Sequence, residues 1–188
     1  MIIRDIEKKD MNRVLDIYSP YIRNSIITFE YDVPSVSIFC DRVERVIGQF
    51  PWLVCEIEGK IAGYAYASHY RERTAFSWDC ELSIYLDPAF SGRGIGKVLY
   101  SRLIELVTMQ GYFQAYALVS LPNIRSEKLH ESLGFEFEGR LKNVGYKLNQ
   151  WIDLGQYVKR LKPLDDPGSF PMPYNTLNKR KIKDILKV

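Results

Sequence analysis

The sequence predicts an α/β domain, a mixed sheet flanked by helices. Two observations carry this: segments of helical and of strand periodicity follow one another as helix pair, hairpin, strand, helix, strand, helix and strands, and a glycine-rich loop joins one strand directly to a helix. The bulk properties agree. A chain of 188 residues with 46% hydrophobic and 26% charged residues is long enough for one sizeable core.

The helix pair comes first. Asp10 stands where a cap belongs, before Met11, Val14, Leu15 and Tyr18 at helical spacing. A second helix follows Pro34-Ser35, with Val36, Phe39, Val43, Val46 and Ile47 on its stripe. Trp52–Ile57 and Ile61–Ala67 then read as two strands around the tight turn Glu58-Gly59-Lys60, an antiparallel hairpin.

The next strand, Cys80–Leu86, alternates: Cys80, Leu82, Ile84 and Leu86 share one face, Glu81, Ser83 and Tyr85 the other. Residues 94–110 place Ile95, Val98, Leu99, Leu103, Leu106 and Val107 at helical spacing, with Gly111 at the stop. A strand over 115–120, a helix over 124–133 before Gly134, and extended segments around 135–139 and 144–161 complete the domain, which is expected to span residues 1–161.

Residues 162–188 read as a Pro-rich and basic C-terminal extension. Lys/Arg and Asp/Glu balance at 20 each over residues 1–161, whereas residues 162–188 carry 6 against 3, so the net charge of +3 sits in the tail. Its prolines oppose helix and central strand, and a solvated terminal segment dispensable for chemistry is expected. The closing basic run lacks the aromatic interleaving of a nucleic-acid binder, so such a partner is not expected. No apolar run reaches the length of a membrane span, and the start MIIRDIEKKD lacks a secretion signal's apolar stretch, which leads to an expectation of a cytoplasmic protein. Cys40, Cys55 and Cys80 are odd in number and widely spaced, indicating neither a disulfide framework nor a metal site.

The chemistry concentrates between Tyr85 and Lys97. Gly92, Gly94 and Gly96 let backbone approach an anion closely, and the helix start beyond them offers unpaired N–H groups and the positive end of a dipole. Arg93 and Lys97 add positive charge. A structural turn with solvated basic residues is the alternative. Lys97 is followed by Val98 and not by Ser or Thr, which excludes a Walker loop, and the preceding hairpin argues against a dinucleotide fold.

Gly92-Arg93-Gly94-Ile95-Gly96 after a strand, followed about thirty residues later by Asn123 and by Leu129-His130-Glu131-Ser132-Leu133-Gly134-Phe135, resembles the pyrophosphate loop and second cofactor-side helix of the GNAT acetyltransferases. Pro51-Trp52-Leu53-Val54, Trp78-Asp79-Cys80-Glu81, Leu121-Pro122-Asn123 and Gly145-Tyr146-Lys147 with Trp151 and Asp153 are similar to the phosphinothricin acetyltransferase branch. The resemblance covers residues 1–161 and implies a GNAT fold with a mostly antiparallel sheet, acetyl-CoA as cosubstrate without a metal, a small-molecule amine acceptor and a homodimer. Ser91 departs from the pattern, which usually has Gln or Arg there.

The same resemblance implies roles for single residues. Glu81 matches the catalytic carboxylate of the branch; as a general base it would take the proton of an acceptor amine, which is largely protonated at neutral pH. Ile84, Tyr85 and Leu86 would offer a backbone edge to the cofactor arm, freed by a splay or bulge next to Leu86. Asn123 would bind that arm or cap the helix starting at Ile124. His130 stands where many of these enzymes place the tyrosine that protonates the thiolate, and would donate a proton, orient Glu81 or serve the fold. Arg71 and Arg73 align with basic residues of the branch and would clamp an acceptor carboxylate; Phe29, Tyr31, Trp78 and Tyr146 would wall the pocket or fill the core. The alternatives are another acceptor, such as a protein N-terminus, a polyamine or an aminoglycoside, and a CoA-binding module without catalysis.

Overall fold

The computed structural model describes residues 1–188. Strand β1 (Ile2–Asp5) forms one edge of the sheet and pairs antiparallel with β2 (Trp52–Ile57), which turns into β3 (Lys60–His69). The turn is tight because Glu58 and Gly59 both adopt positive φ, 50° and 74°, the conformation a two-residue hairpin needs. Strand β4 (Asp79–Leu86) pairs antiparallel with β3 and parallel with β5 (Gln114–Leu121), and β7 (Gln150–Arg160) and β6 (Glu136–Lys147) close the order β1-β2-β3-β4-β5-β7-β6. The result is a seven-stranded, mostly antiparallel sheet with helices on both faces, the predicted class.

Each face carries its own core. Helices α1 (Met11–Asn24) and α2 (Val36–Val46) bury Val14, Ile17, Ile22, Phe39 and Val43 against Trp52, Val54 and Tyr64. On the opposite face α3 (Ile95–Gln110) buries Leu99, Tyr100, Leu103, Leu106 and Val107 against Leu53, Ala65, Leu82 and Ala117. Helix α4 (Ile124–Ser132) joins that side and contributes His130. The alternation read in β4 holds: Cys80 and Leu82 enter the α3 core, and Ile84 and Leu86 pack against it.

Several expectations are corrected. Asp10 precedes α1 but does not cap it, because its carboxylate accepts the Glu7 N–H and two hydrogen bonds from the Arg4 guanidinium. Strand β1 is too short to show a periodicity and is recognisable only by its pairing with β2. The span 136–160 is one long hairpin whose turn sits at Leu148-Asn149, both at positive φ, with irregular register along β6. Without a glycine at that turn, the sequence carried no punctuation there.

The tail is not a solvated segment. Tyr174, Leu177 and Ile182 are buried, and α5 (Lys179–Leu186) packs on α3 and β1. Gln110, 1% exposed, donates through Nε2 to the carbonyls of Gln49 (2.7 Å) and Met172 (2.8 Å), and the Met172 N–H returns a bond to the Gln110 carbonyl. Tyr174 donates to Asp5 at 2.8 Å. The prolines do what was expected of them between Lys162 and Pro173, where no helix or strand forms; Asn178 then starts α5 by accepting from the Arg180 and Lys181 N–H groups.

Candidate active site

Strands β4 and β5 are in register only over Asp79↔Gln114, Cys80↔Ala115 and Glu81↔Tyr116. Beyond Glu81 they part, so the splay begins at Leu82, four residues before Leu86, beside which it was expected. The opening leaves a narrow cleft lined by Leu82, Ser83, Ile84 and Tyr85 on one side and Leu118, Val119 and Ser120 on the other. Tyr21 fixes the far end of β4 by donating to the Leu86 carbonyl at 2.5 Å, and Arg13 pairs with Asp87 just beyond.

The cleft widens into a cavity of about 600 Å³ lined by Tyr85, Leu86, Ser91, Gly92, Gly94, Gly96, Lys97 and Asn123. Gly92 and Gly94 lie at φ +78° and +75°, and a Cβ on either would meet nothing within 4 Å, so both the conformation and the open side favour glycine. No side chain caps α3, and its first helical bonds run from Lys97 and Val98 to the Gly94 carbonyl. The amides of Gly94, Ile95 and Gly96 are thereby left for an anion at the positive end of the helix.

The side chains of the loop divide differently from the sequence reading. Lys97 lines the cavity, but Arg93 lies over the Phe90 ring at 5.4 Å, and Ile95 is buried in the α3 core and has only its backbone to offer. Arg125, Ser126, Lys128 and Leu129, which the sequence reading left out, also line the cavity. Their signal was available: Arg125 and Lys128 are three apart on the first turns after Asn123, and so share a face.

Asn123 caps α4 and lies on the cleft. Its Oδ1 accepts the Ser126 N–H at 3.3 Å as a cap, while the residue lines cleft and cavity alike. His130 lines the cleft but is only 3% exposed. Its Nδ1 lies 2.7 Å from the Ser126 carbonyl and so carries a proton, while its Nε2 lies 3.2 Å from the Tyr100 hydroxyl, which itself donates to the Leu82 carbonyl at 3.1 Å. Burial holds its pKa below the usual imidazole value, and no hydrogen bond joins it to Glu81.

Glu81 is partly buried beside Tyr116, at the root of the splay. Its carboxylate makes no hydrogen bond or ion pair, and burial pushes its pKa up to about 7. Tyr116 stacks on Tyr70 at 3.9 Å, and the Arg71 guanidinium lies over Tyr70 (5.1 Å) and Phe76 (5.5 Å). This stack links Arg71 to the Glu81 strand; Arg73 is exposed at the start of a short helical turn, without that link.

The expected walls are partly brought together. The Phe29 ring packs on Gly145, where a Cβ would fall 2.6 Å from it, the Tyr31 hydroxyl bonds the Tyr146 carbonyl, and Lys147 donates to the Thr28 carbonyl at 2.6 Å. Loop 25–33 is thus fastened to the β6–β7 hairpin, and its Ile27 reaches the cleft. Trp78 is a correction. Its indole donates to the Ser169 carbonyl at 2.9 Å and stacks on Phe170 at 4.9 Å, so the docked tail occupies it.

Residues 3–154 match the family described as the acetyltransferase (GNAT) domain. The chain belongs to the GNAT family. It is 37% identical over 153 residues to a phosphinothricin N-acetyltransferase of Streptomyces viridochromogenes, covering 81% of this chain and 84% of that one. To an L-methionine sulfoximine/L-methionine sulfone acetyltransferase of Salmonella typhimurium it is 32% identical over 155 residues, 82% and 91% of the two chains. A GNAT phosphinothricin acetyltransferase from Sinorhizobium meliloti, solved in complex with acetyl-CoA, superposes with a TM-score of 0.84 at 34% identity over 93% and 96%. The chain is therefore an acetyl-CoA-dependent N-acetyltransferase. No helix is long and apolar enough to cross a membrane, and no three His, Cys, Asp or Glu side chains are grouped to hold a metal.

Proposed function

We propose that this GNAT enzyme acetylates the amino group of a small amino-acid-like acceptor such as phosphinothricin or methionine sulfone, with Glu81 as general base. The observation that carries the reading is a carboxylate with a pKa of about 7, placed where β4 and β5 separate. Near neutrality such a group is divided between its two forms, so it takes a proton and releases it again within a cycle. Glu81 accepts the proton of the acceptor's ammonium, directly or through a water. The freed lone pair attacks the thioester carbonyl carbon; collapse of the tetrahedral adduct breaks the C–S bond, the nitrogen gives up its second proton to become the neutral amide, and the departing CoA thiolate takes up a proton to leave as the free thiol.

The other residues have supporting parts in this reading. Gly92 through Lys97, with Arg125 and Lys128, hold the anionic end of acetyl-CoA, while Ile84, Tyr85, Leu86 and Asn123 face its thioester arm. Arg71 presents its charge to the acceptor's carboxylate, and Arg73 assists; Phe29 and Tyr146 wall that side. His130 serves the fold, since the one proton of its neutral ring is held by the Ser126 carbonyl. A homodimer belongs to the same reading, supported by the exposed Phe137, Leu141, Val144 and Trp151 along the β6–β7 hairpin, as does a cytoplasmic location.

The test is an acceptor screen with acetyl-CoA that follows free-thiol release. Phosphinothricin or methionine sulfone should be the better acceptors. A peptide N-terminus or polyamine turned over faster than every amino-acid analogue would replace this assignment.

A further inference from the structure

Ser120 has no role in the reading above, yet its hydroxyl is the one side-chain group of the cleft whose chemistry the fold leaves unfinished. The residue is 2% exposed near the end of β5, and its Oγ is enclosed with no hydrogen-bond partner. Elsewhere in the chain, serines spend the hydroxyl locally: Ser19, Ser25 and Ser101 each donate to the carbonyl four residues earlier in a helix. A strand offers no such carbonyl within reach, and a buried hydroxyl left without a partner is destabilising, so such positions call for an explanation.

The surroundings indicate what completes it. Ser120 lines the cleft together with Ser83, Asn123 and Ser126, and Asn123 and Ser126 also line the larger cavity. The two spaces are therefore neighbours along one path, with the glycine loop at one end and Ser120 at the other. A ligand anchored by its phosphates on the amides of Gly94, Ile95 and Gly96 passes Asn123 before it comes to Ser120. A hydroxyl donates one hydrogen bond and accepts two, which suits an amide or thioester carbonyl and offers little to an apolar chain.

We propose that Ser120 is a binding residue for the thioester arm of acetyl-CoA, its hydroxyl donating to an amide carbonyl oxygen of that arm. This rests on the reading that the cosubstrate lies in the cleft. It adds a side-chain contact from β5 opposite the backbone edge of β4, at the place where the two strands have lost each other as partners.

The experiment compares Ser120→Ala and Gly94→Val by calorimetric titration with two probes, CoA and adenosine 3′,5′-bisphosphate, which lacks the arm, together with the melting temperature without ligand. Ser120→Ala should weaken CoA about five- to tenfold, the effect of one neutral hydrogen bond, and leave the armless probe unchanged. Its melting temperature without ligand should be equal to or above that of the parent protein, because an unsatisfied polar group has been removed. Gly94→Val should weaken both probes. Unchanged CoA affinity in Ser120→Ala, with weakened binding in Gly94→Val, would overturn the role of Ser120 alone, and a lowered melting temperature would then assign the hydroxyl to the fold. If Gly94→Val bound both probes normally, the cosubstrate would not lie in the cleft and the parent reading would fall with this one.

Discussion

Glu81 and Tyr116 form the last paired position between β4 and β5. One residue earlier or later, at Cys80 or Leu82, the alternation of β4 would turn the carboxylate into the α3 core. At the root of the splay it is enclosed enough to lose hydration, which raises its pKa to about 7.

From this placement, Glu81→Gln keeps the size of the side chain and removes the base. Turnover at pH 7 should fall by about 10²–10⁴-fold with acetyl-CoA affinity nearly unchanged. In the parent enzyme kcat/KM should rise with pH through about 7 as the carboxylate ionises. The variant should lack that step and recover partly at high pH, where the acceptor arrives already neutral. Near-normal turnover at pH 7 in Glu81→Gln would show that the proton leaves by another route.

The same carboxylate links stability to pH. Its folded pKa is raised from the ordinary 4.5 to about 7, so the folded state holds its proton more tightly than the unfolded chain. The stability this provides is complete below about pH 4.5 and is lost as pH rises through 7. Glu81→Gln has no such loss, and its stability relative to the parent should improve by on the order of 2 kcal/mol between pH 4.5 and pH 8. Denaturant melts at the two pH values measure the difference; a gap independent of pH would mean that the carboxylate is hydrated in the folded protein.

Gly94 combines left-handed backbone with an open side facing the cavity. In Gly94→Val the branched side chain both resists φ of +75° and fills the space above the α3 amides. Acetyl-CoA affinity should drop by at least tenfold while the circular dichroism spectrum stays that of the parent. A folded variant with parental affinity would remove the loop from the binding site.

The docked tail predicts a structural penalty where the sequence alone suggested none. Gln110→Ala leaves the Met172 carbonyl without its buried donor and the Gln49 carbonyl with the Tyr174 N–H alone, and should cost about 1–3 kcal/mol in urea melts. Removing residues 163–188 should cost more, because Tyr174, Leu177 and Ile182 leave the α3 core exposed. A truncated protein that melts with the parent would show that the tail contributes nothing to that core.

What the sequence determined by itself was local. The β2–β3 hairpin was legible because Gly59 and the flanking alternation act within a dozen residues, and α3 was legible because its apolar stripe ends at Gly111, at φ +103°. The glycine-rich loop was legible for the same reason, since Gly92, Gly94 and the start of α3 are contiguous. The tertiary structure decided what depends on distant partners. Where β4 parts from β5 is set by how two strands separated by α3 can pair, so neither Glu81's burial nor the orphaned hydroxyl of Ser120 is written in their own neighbourhoods. For His130 the neighbours of its two ring nitrogens, the Ser126 carbonyl and the Tyr100 hydroxyl, were likewise fixed only by folding. Trp78 read as a pocket wall, and α5 as solvated chain, until Phe170 and the α3 core claimed them, because a side chain's partner across the fold settles its role more strongly than its own type does.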